Sequence, residues 1–391
     1  MSSKYEQRGV SATKSEVHEA IKGLDKGLFP RAFCKVLPDV AGGDADWCNI
    51  MHADTAGTKT SLAYLYWKET GDLSVWEGIV QDSLVMNLDD MGCVGAVDNI
   101  LISSTIGRNR HRIPGEVLAT IIQGAQKFAD KMAGQGVGLH LTGGETADVG
   151  DIVRTIDVGF TTFARLRRDK LVVNDIKPGN VIVGLASYGQ STYETEYNGG
   201  MGSNGLTSAR HDVFKHEYAD KYPESFNPEV PREVIYQGSR SLTEQISIGH
   251  GRTMSAGKLV LSPTRTYLPV LKVLLDELQP KIAGLIHCTG GAQTKVVKFI
   301  DKVRVVKDNL FATPPLFDLL RQESGTDWRE LYQVFNMGHR LEVYLPEAEA
   351  ATVLGIAARF NIDAQVVGYV EAADSPSVRL HTPGGVEDYE E

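Results

Sequence analysis

Apolar and polar positions repeat with a helical period over two long stretches in the first third of the chain. Residues 73–91 place Trp76, Ile79, Val80 and Leu84 on related turns, and residues 114–133 do the same with Val117, Ile121, Ala125 and Phe128. This i, i+3, i+4 spacing predicts two helices, the second opening at Pro114 and Glu116. A third helix is expected over 60–68. Short apolar runs at 49–54, 97–103, 137–141 and 152–163 predict strands between them.

The second half repeats the scheme. Strands are expected at 181–186, 282–288, 341–345 and finally 364–370. Helices are expected after Tyr267, with Val270, Leu274, Leu275 and Leu278 on one side, and over 347–360. The basic run 165–170 reads as a solvated connection, and Lys177-Pro178-Gly179 as a turn. Alternating strands and helices on both sides of 165–178 give an α/β (α+β) chain of two domains, 1–170 and 171–391. A length of 391 residues fits two cores better than one. The acidic end, GGVEDYEE, is expected to be a frayed tail.

A net charge of −10 argues against holding nucleic acid through the overall field. No apolar run reaches the roughly 20 residues a bilayer span needs, and the polar N-terminal segment lacks a secretory core. The expected location is the cytoplasm. Cys34, Cys48, Cys93 and Cys288 form no CxxC pair, so neither a zinc site nor a redox motif is indicated.

The candidate chemistry lies in six short motifs: HADTAGTK (52–59), QDSLVMNLDDMGCVGA (81–96), TGGETA (142–147), GSNG (202–205), PTRTY (263–267) and HCTGG (287–291). Carboxylates suit a hard cation, a lysine suits phosphate oxygens, and glycines let backbone amides approach a polyphosphate. In HADTAGTK, Asp54 ends a strand and Lys59 follows a tight turn through Gly57 and Thr58; a plain strand–turn–helix corner fits equally well. The GxxxxGK[ST] phosphate loop is absent. Asp82 and Asp90 are eight residues apart, about 12 Å along a straight helix, too far to clasp one ion. The apolar neighbours Val85, Met86, Leu88 and Met91 draw these acids inward, where carboxylates need partners. Glu145 is either an oxygen ligand or a helix-start residue after a glycine turn. Arg265 is either a phosphate donor or a structural ion-pair partner. His287 fits a core hydrogen bond better than a charge-stabilising role.

In this order the motifs resemble those of the phosphoribosylformylglycinamidine cyclo-ligase (aminoimidazole ribonucleotide synthetase) family. The matches fall at Asp54, Gly57, Thr58 and Lys59; at Asp82, Met86 and Asp90; at 143–147; at 203–205; at 263–265 and Tyr267; and at 289–291. Tyr5, Gly9 and Val10, and the run 335–338, extend the resemblance. Departures are Asp89 for the usual Asn, Gly202 for the His before SNG, Ala292 for a third glycine, and a longer loop before GSNG.

The resemblance implies an N-terminal domain that dimerises into a β-barrel, with a C-terminal α/β domain completing the site. It implies a purine-biosynthesis ligase that uses ATP and Mg²⁺ to close the ring of formylglycinamidine ribonucleotide, releasing ADP and phosphate. Lys59 and Asp90 are then the expected catalytic residues. Asp54, Gly57, Thr58, Lys59, Asp82, Gly143, Gly144 and Glu145 would hold the nucleotide. Ser203, Asn204, Gly205, Arg265, Gly290 and Gly291 would hold the substrate. Asp54, Asp82, Asp90 and Glu145 would hold Mg²⁺. Beyond a second copy of the chain, no nucleic-acid or membrane partner is expected. Rival readings are a thiamine-monophosphate kinase, a selenophosphate synthetase, a hydrogenase-maturation relative, or a catalytically silent nucleotide-binding dimer. The chain lacks the early cysteine that selenide chemistry favours and the terminal cysteine of the hydrogenase relative. PTRTY and HCTGG favour the cyclo-ligase over the kinase.

Overall fold

A computed structural model describes residues 4–10 and 15–390. In the first half, strands β1 (Val36–Pro38), β2 (Trp47–Thr55), β3 (Ile100–Arg108), β4 (Leu139–Asp148) and β5 (Ile156–Arg167) form one sheet in the order β1-β2-β5-β3-β4. Helix Ser74–Gly92 packs on one face of it, against β2 and β5, and helix Gly115–Ala133 packs on that helix. Ile50, Ile102, Ile106, Val158 and Phe160 point into this interface and are buried. The sheet is open within one chain, and β1 and β4 are its edges.

The second half begins with β6 (Asn180–Ala186). A small hairpin follows, β7 (Gln245–Gly249) with β8 (Arg252–Ser255). The remaining strands are β9 (Gly284–His287), β10 (Val303–Lys307), β11 (His339–Pro346), β12 (Ala364–Ala372), β13 (Ser377–Thr382) and β14 (Gly385–Glu390). They join β6 in a sheet ordered β14-β13-β10-β12-β6-β11-β9. Helices Leu268–Leu278 and Ala350–Arg359 lie together and bury Leu271, Leu274, Val353 and Ile356. Among the described residues, no helix is long and apolar enough to cross a membrane.

Three expectations change. TGGETA is not a turn: it runs inside β4, paired in parallel with β3 (Ser104 opposite Gly144, Thr105 opposite Glu145). Its glycines sit at an irregularity in register between Ile102 and Ser104, where a Cβ on Gly144 would come within 2.2 Å of the Ser104 carbonyl oxygen. The expected tail is β14, antiparallel to β13, so β12 is not the last strand; Glu391 lies outside the described residues. The basic run begins inside β5. Arg165 reaches Asp39 at 2.8 Å and stands over the Trp47 ring at 4.2 Å while its side chain stays 36% exposed, so it is anchored and solvated at once.

Candidate functional site

The acidic face of helix Ser74–Gly92 meets the PTRTY segment of the second half, and each acid has a separate task. Asp82 Oδ1 accepts from Lys59 Nζ at 2.8 Å, from the Thr264 amide at 2.7 Å and from the Thr264 hydroxyl at 2.6 Å. Lys59 also donates to the Ser262 carbonyl at 2.7 Å. Both side chains are fully buried. Burial pushes the Asp82 carboxyl up and the Lys59 ammonium down, and their mutual attraction opposes both shifts. Among the described residues, Asp82 Oδ2 is buried without a hydrogen-bond partner. About two turns further on, Asp89 accepts from the Thr266 hydroxyl at 2.7 Å and from the Tyr267 amide at 3.0 Å. It thereby satisfies a free amide at the start of helix Leu268–Leu278.

Asp90 sits between two imidazoles. His287 Nδ1 is 2.6 Å from its Oδ1, and His52 Nε2 is 3.4 Å from its Oδ2. Arg340 Nε donates to His287 Nε2 at 3.1 Å, which leaves Nδ1 as the nitrogen that donates to Asp90. For His52, the Asn87 side chain fixes the other end. Asn87 Nδ2 donates to the Ser83 and Phe160 carbonyls, so its Oδ1 faces His52 Nδ1 at 3.0 Å. Both nitrogens of His52 therefore meet acceptors. Burial pulls the His52 pKa down, but Asp90 and Asn87 outweigh it and raise it above the ordinary value. Burial alone would raise Asp90; the two imidazoles hold it well below the usual carboxylate range.

These placements revise the expected metal set of Asp54, Asp82, Asp90 and Glu145. Asp54 lies level with the Asp82 end of the helix, because Ser83 Oγ donates to the Asp54 carbonyl at 3.2 Å. Asp90 lies level with His52, and both its oxygens are occupied. Glu145 is exposed. Register places Asp54 in a row with Phe160, Ser104 and Gly144, and Glu145 in the next row with Thr105 and Gly159. Adjacent rows face opposite sides of a sheet, and three strand spacings separate β2 from β4, about 14 Å. Asp54 and Glu145 of one chain therefore cannot share an ion. Among the described residues, no group of three His, Cys, Asp or Glu side chains is arranged to hold a metal.

Arg265 also departs from its expected contact with substrate. It is fully buried and pairs with Glu194, Nη2 to Oε2 at 2.6 Å, while Nη1 donates to the carbonyls of Ala186 and Tyr188 at 2.9 and 2.7 Å. Every guanidinium nitrogen is spent on holding the long loop that leads to GSNG. Glu194 also accepts from the Ser191 amide and from Asn198.

Other expected site residues do come together. Gly57, in the left-handed region at φ 58°, turns the chain after β2, and Thr58 Oγ1 meets Thr207 Oγ1 at 2.8 Å. Thr207 belongs to helix Leu206–Val213, which starts straight after GSNG with Gly205 at φ 78°. A Cβ on Gly205 would lie 2.4 Å from the Phe335 ring. Opposite, Gly290 is exposed at the end of β9, and a Cβ there would lie 3.7 Å from Asn204 Nδ2. AGTK, GSNG and TGG thus border one region. Gly143, Gly144 and Glu145 lie away from it, on β4. Glu194 and Arg340 carry no motif signal, and His52 and Thr264 stand inside HADTAGTK and PTRTY without a role assigned to them. The one hint was the apolar setting of Asp82, Asp89 and Asp90, which predicts buried partners.

The fold has known counterparts. Phosphoribosylformylglycinamidine synthase II of Thermotoga maritima superposes with a TM-score of 0.52 at 12% identity over 96% of this chain and 48% of that one. This chain thus spans about half the length of that protein. The HypE–HypF complex superposes at 0.55 and 14% identity, over 97% of this chain and 99% of the matched chain. In sequence, the phosphoribosylformylglycinamidine cyclo-ligase of Methanocaldococcus jannaschii is 28% identical over 83% of this chain and 79% of its own length. The family model "AIR synthase related protein, N-terminal domain" matches residues 34–166, and "AIR synthase related protein, C-terminal domain" matches 177–381. The chain belongs to the AIR synthase related family.

Proposed function

We propose that this chain is a phosphoribosylformylglycinamidine cyclo-ligase. It closes the imidazole ring of formylglycinamidine ribonucleotide with ATP, giving 5-aminoimidazole ribonucleotide, ADP and phosphate. The observation that carries this reading is the meeting of AGTK, GSNG and TGG, which border one region although about 150 and 80 residues separate them in sequence. Both halves of the chain match the family, and the curated relative over most of its length bears the cyclo-ligase name.

In this reading the formyl amide oxygen attacks the γ-phosphorus and ADP leaves. The amidine nitrogen then attacks the activated carbon, and inorganic phosphate carries off the oxygen. Ring closure is favoured by holding two atoms of one molecule together. Gly57, Thr58, Gly290 and Gly291 offer backbone and hydroxyl donors to phosphate oxygens, and Ser203, Asn204 and Gly205 hold the substrate. Lys59, sealed against Asp82, acts by fixing the AGTK turn rather than by touching phosphate. Asp90 orients His52 and His287.

For magnesium, Asp54 and Asp82, whose Oδ2 has no hydrogen-bond partner among the described residues, would supply the carboxylate oxygens that a hard cation takes. When bound there, the ion would screen the charge of the nucleotide phosphates. Glu145 is assigned instead to the exposed face of the first sheet.

That face supports a homodimer. Met51, Phe163 and Leu101 stand in one row across β2, β5 and β3, and Met51 and Leu101 are 64% and 43% exposed. Two such open sheets closing on each other would give the barrel, with 1–170 as the dimerising domain and 171–391 as its complement, in a cytoplasmic enzyme. The deciding assay supplies purified protein with Mg·ATP and formylglycinamidine ribonucleotide. Equal yields of ADP and aminoimidazole product are expected. ADP formed only with thiamine monophosphate would establish the kinase instead, and nucleotide binding without either product would establish a silent relative.

A further inference from the structure

The second half buries an ion pair that stands in none of the six motifs. Lys307 closes β10 and donates through Nζ to Glu342 Oε1 of β11, and neither side chain meets solvent. Glu342 Oε1 also accepts from His339 Nε2 at 2.9 Å, and its Oε2 accepts from the Tyr344 hydroxyl at 2.6 Å. Burial alone would raise the Glu342 pKa; Lys307 and His339 outweigh it and hold the carboxyl below the usual value. Gly184 of β6, opposite Glu342 in register, makes room for the group: a Cβ there would come within 3.0 Å of the His339 ring.

Two charges taken out of water are often no more stabilising than two well-packed apolar side chains of similar size. What this pair adds is direction. Lys307 Nζ also donates to the Gln293 carbonyl at 2.7 Å and to Gln293 Oε1 at 3.0 Å, which with Glu342 uses all three protons of the ammonium. Gln293 is buried two residues past TGG. Its Nε2 donates to the carbonyls of Asn336 at 2.6 Å and His339 at 2.9 Å. Asn336 is buried too, and its side chain reaches the other loop. Its Nδ2 donates to the Gly200 carbonyl at 2.9 Å, two residues before GSNG, and its Oδ1 accepts from the Ser187 hydroxyl at 2.7 Å. A continuous series of hydrogen-bonded residues thus leads from Lys307 and Glu342 through Gln293 and Asn336, and it ties the TGG turn to the GSNG loop.

We propose that Lys307, Glu342 and Gln293 are positioning residues for the reaction: they fix the distance between the TGG turn and the GSNG loop, and with it the alignment of the two reactants. That these loops hold reactants rests on the cyclo-ligase reading; that the network joins the loops does not. Apolar contacts tolerate sliding, whereas hydrogen bonds to a carbonyl and an amide set both a distance and an angle. Transfer between two bound molecules depends on such alignment, and a misplacement of about 1 Å costs on the order of 100-fold in rate.

The test uses the full-length protein as wild type, as Gln293→Met, and as the double variant Lys307→Met with Glu342→Leu. Folding is checked by circular dichroism. Gln293→Met keeps the ion pair and cuts its link to Asn336. Amide hydrogen exchange, read by mass spectrometry without ligand, is expected to quicken in 198–206 as well as in 288–295. In steady-state kinetics, kcat per folded protein should fall at least about tenfold, while the KM for ATP and for the ribonucleotide each stay within about threefold of the wild type. The double variant should show the same loss of kcat. Folded Gln293→Met with wild-type exchange at 198–206, or with wild-type kcat, overturns the proposal. Should that variant not fold, the double variant is judged by the same two readings. Quickened exchange in both segments, in a protein whose wild type forms no aminoimidazole product, sinks the cyclo-ligase reading and leaves the network's hold on the two loops standing.

Discussion

Lys59 Nζ lies 2.8 Å from Asp82 Oδ1, and neither side chain meets solvent. The pair joins the turn after β2 to the PTRTY segment, because Thr264 donates twice to the same oxygen. Removing one partner strands the other charge in a dry interior. Asp82→Asn is expected to lower unfolding free energy by roughly 3–5 kcal/mol, the usual cost of breaking a buried pair. The double change Lys59→Met with Asp82→Leu should recover much of that loss. Denaturant titration of the three proteins checks it. A single variant as stable as the wild type would refute the view of Lys59–Asp82 as the bond that fixes the AGTK turn.

Glu194 gives the long loop before GSNG its fixed course. Burial favours its neutral form, but Arg265 overrides this and lowers its pKa. Glu194→Gln leaves the Arg265 guanidinium facing an amide, so the loop over 189–205 should loosen. The expected readouts are faster proteolytic cutting within that loop and a raised KM for the ribonucleotide. Stability should fall by roughly 3 kcal/mol or more. Cutting at the wild-type rate would show that Arg265 does not anchor the loop.

How far the sequence reveals this arrangement depends on the range of the interactions involved. Helix Gly115–Ala133 is legible because its buried residues recur on one stripe while the rest meets water. Helix Ser74–Gly92 is legible from the recurrence of Trp76, Ile79, Val80 and Leu84, although it is buried nearly all round. The run TGGETA reads as a turn because two adjacent glycines usually mark one; pairing with β3 overrides that local preference. β14 reads as a tail because GVEDYE is acidic, yet β13 pairs with it along its full length. At the site, composition shows that Asp82, Asp89 and Asp90 need partners. It does not show which ones, since Thr264, Thr266 and His287 lie 177 to 197 residues away. The double role of Arg265 stays open in the sequence for the same reason.

The Asp90–His52 contact sets a pH dependence. His52 has a folded pKa above 6.5, so its contribution to stability is complete below the unfolded value and is lost as pH rises through the folded one. Asp90 has a depressed folded pKa, so its contribution is present above about 4 and is lost only in strong acid. Melting temperature should therefore fall more steeply from pH 6 to 8 in the wild type than in His52→Gln, with both proteins declining together below pH 4. Parallel curves from pH 6 to 8 would remove His52 as a charged partner of Asp90.

Ala292 follows TGG with φ at 43°, in the left-handed region that favours glycine. A non-glycine residue held there costs roughly 1 kcal/mol. Ala292→Gly relieves that cost but adds freedom to the unfolded chain, so the net gain should be a few tenths of a kcal/mol up to about 1 kcal/mol. Activity is expected to persist, because the Ala292 side chain is buried and turned from the loop surface. A loss of stability on this substitution would mean that the buried methyl group outweighs the backbone strain.

The row Met51–Phe163–Leu101 lies on the face of the first sheet opposite helix Ser74–Gly92, with Met51 and Leu101 substantially exposed. An apolar row across three strands has few uses in a free monomer and fits a second copy of the same surface. A lysine at either position would bring its charge against the matching residues of the other copy. Met51→Lys with Leu101→Lys is expected to convert a dimer to a monomer in light scattering at micromolar concentration. The fold of each chain should survive, because both side chains point away from its core. If the interface also carries the active site, kcat should fall with the dimer fraction and return at high protein concentration. A wild type that is monomeric at all concentrations, with an active doubly substituted protein, would show that each chain works alone.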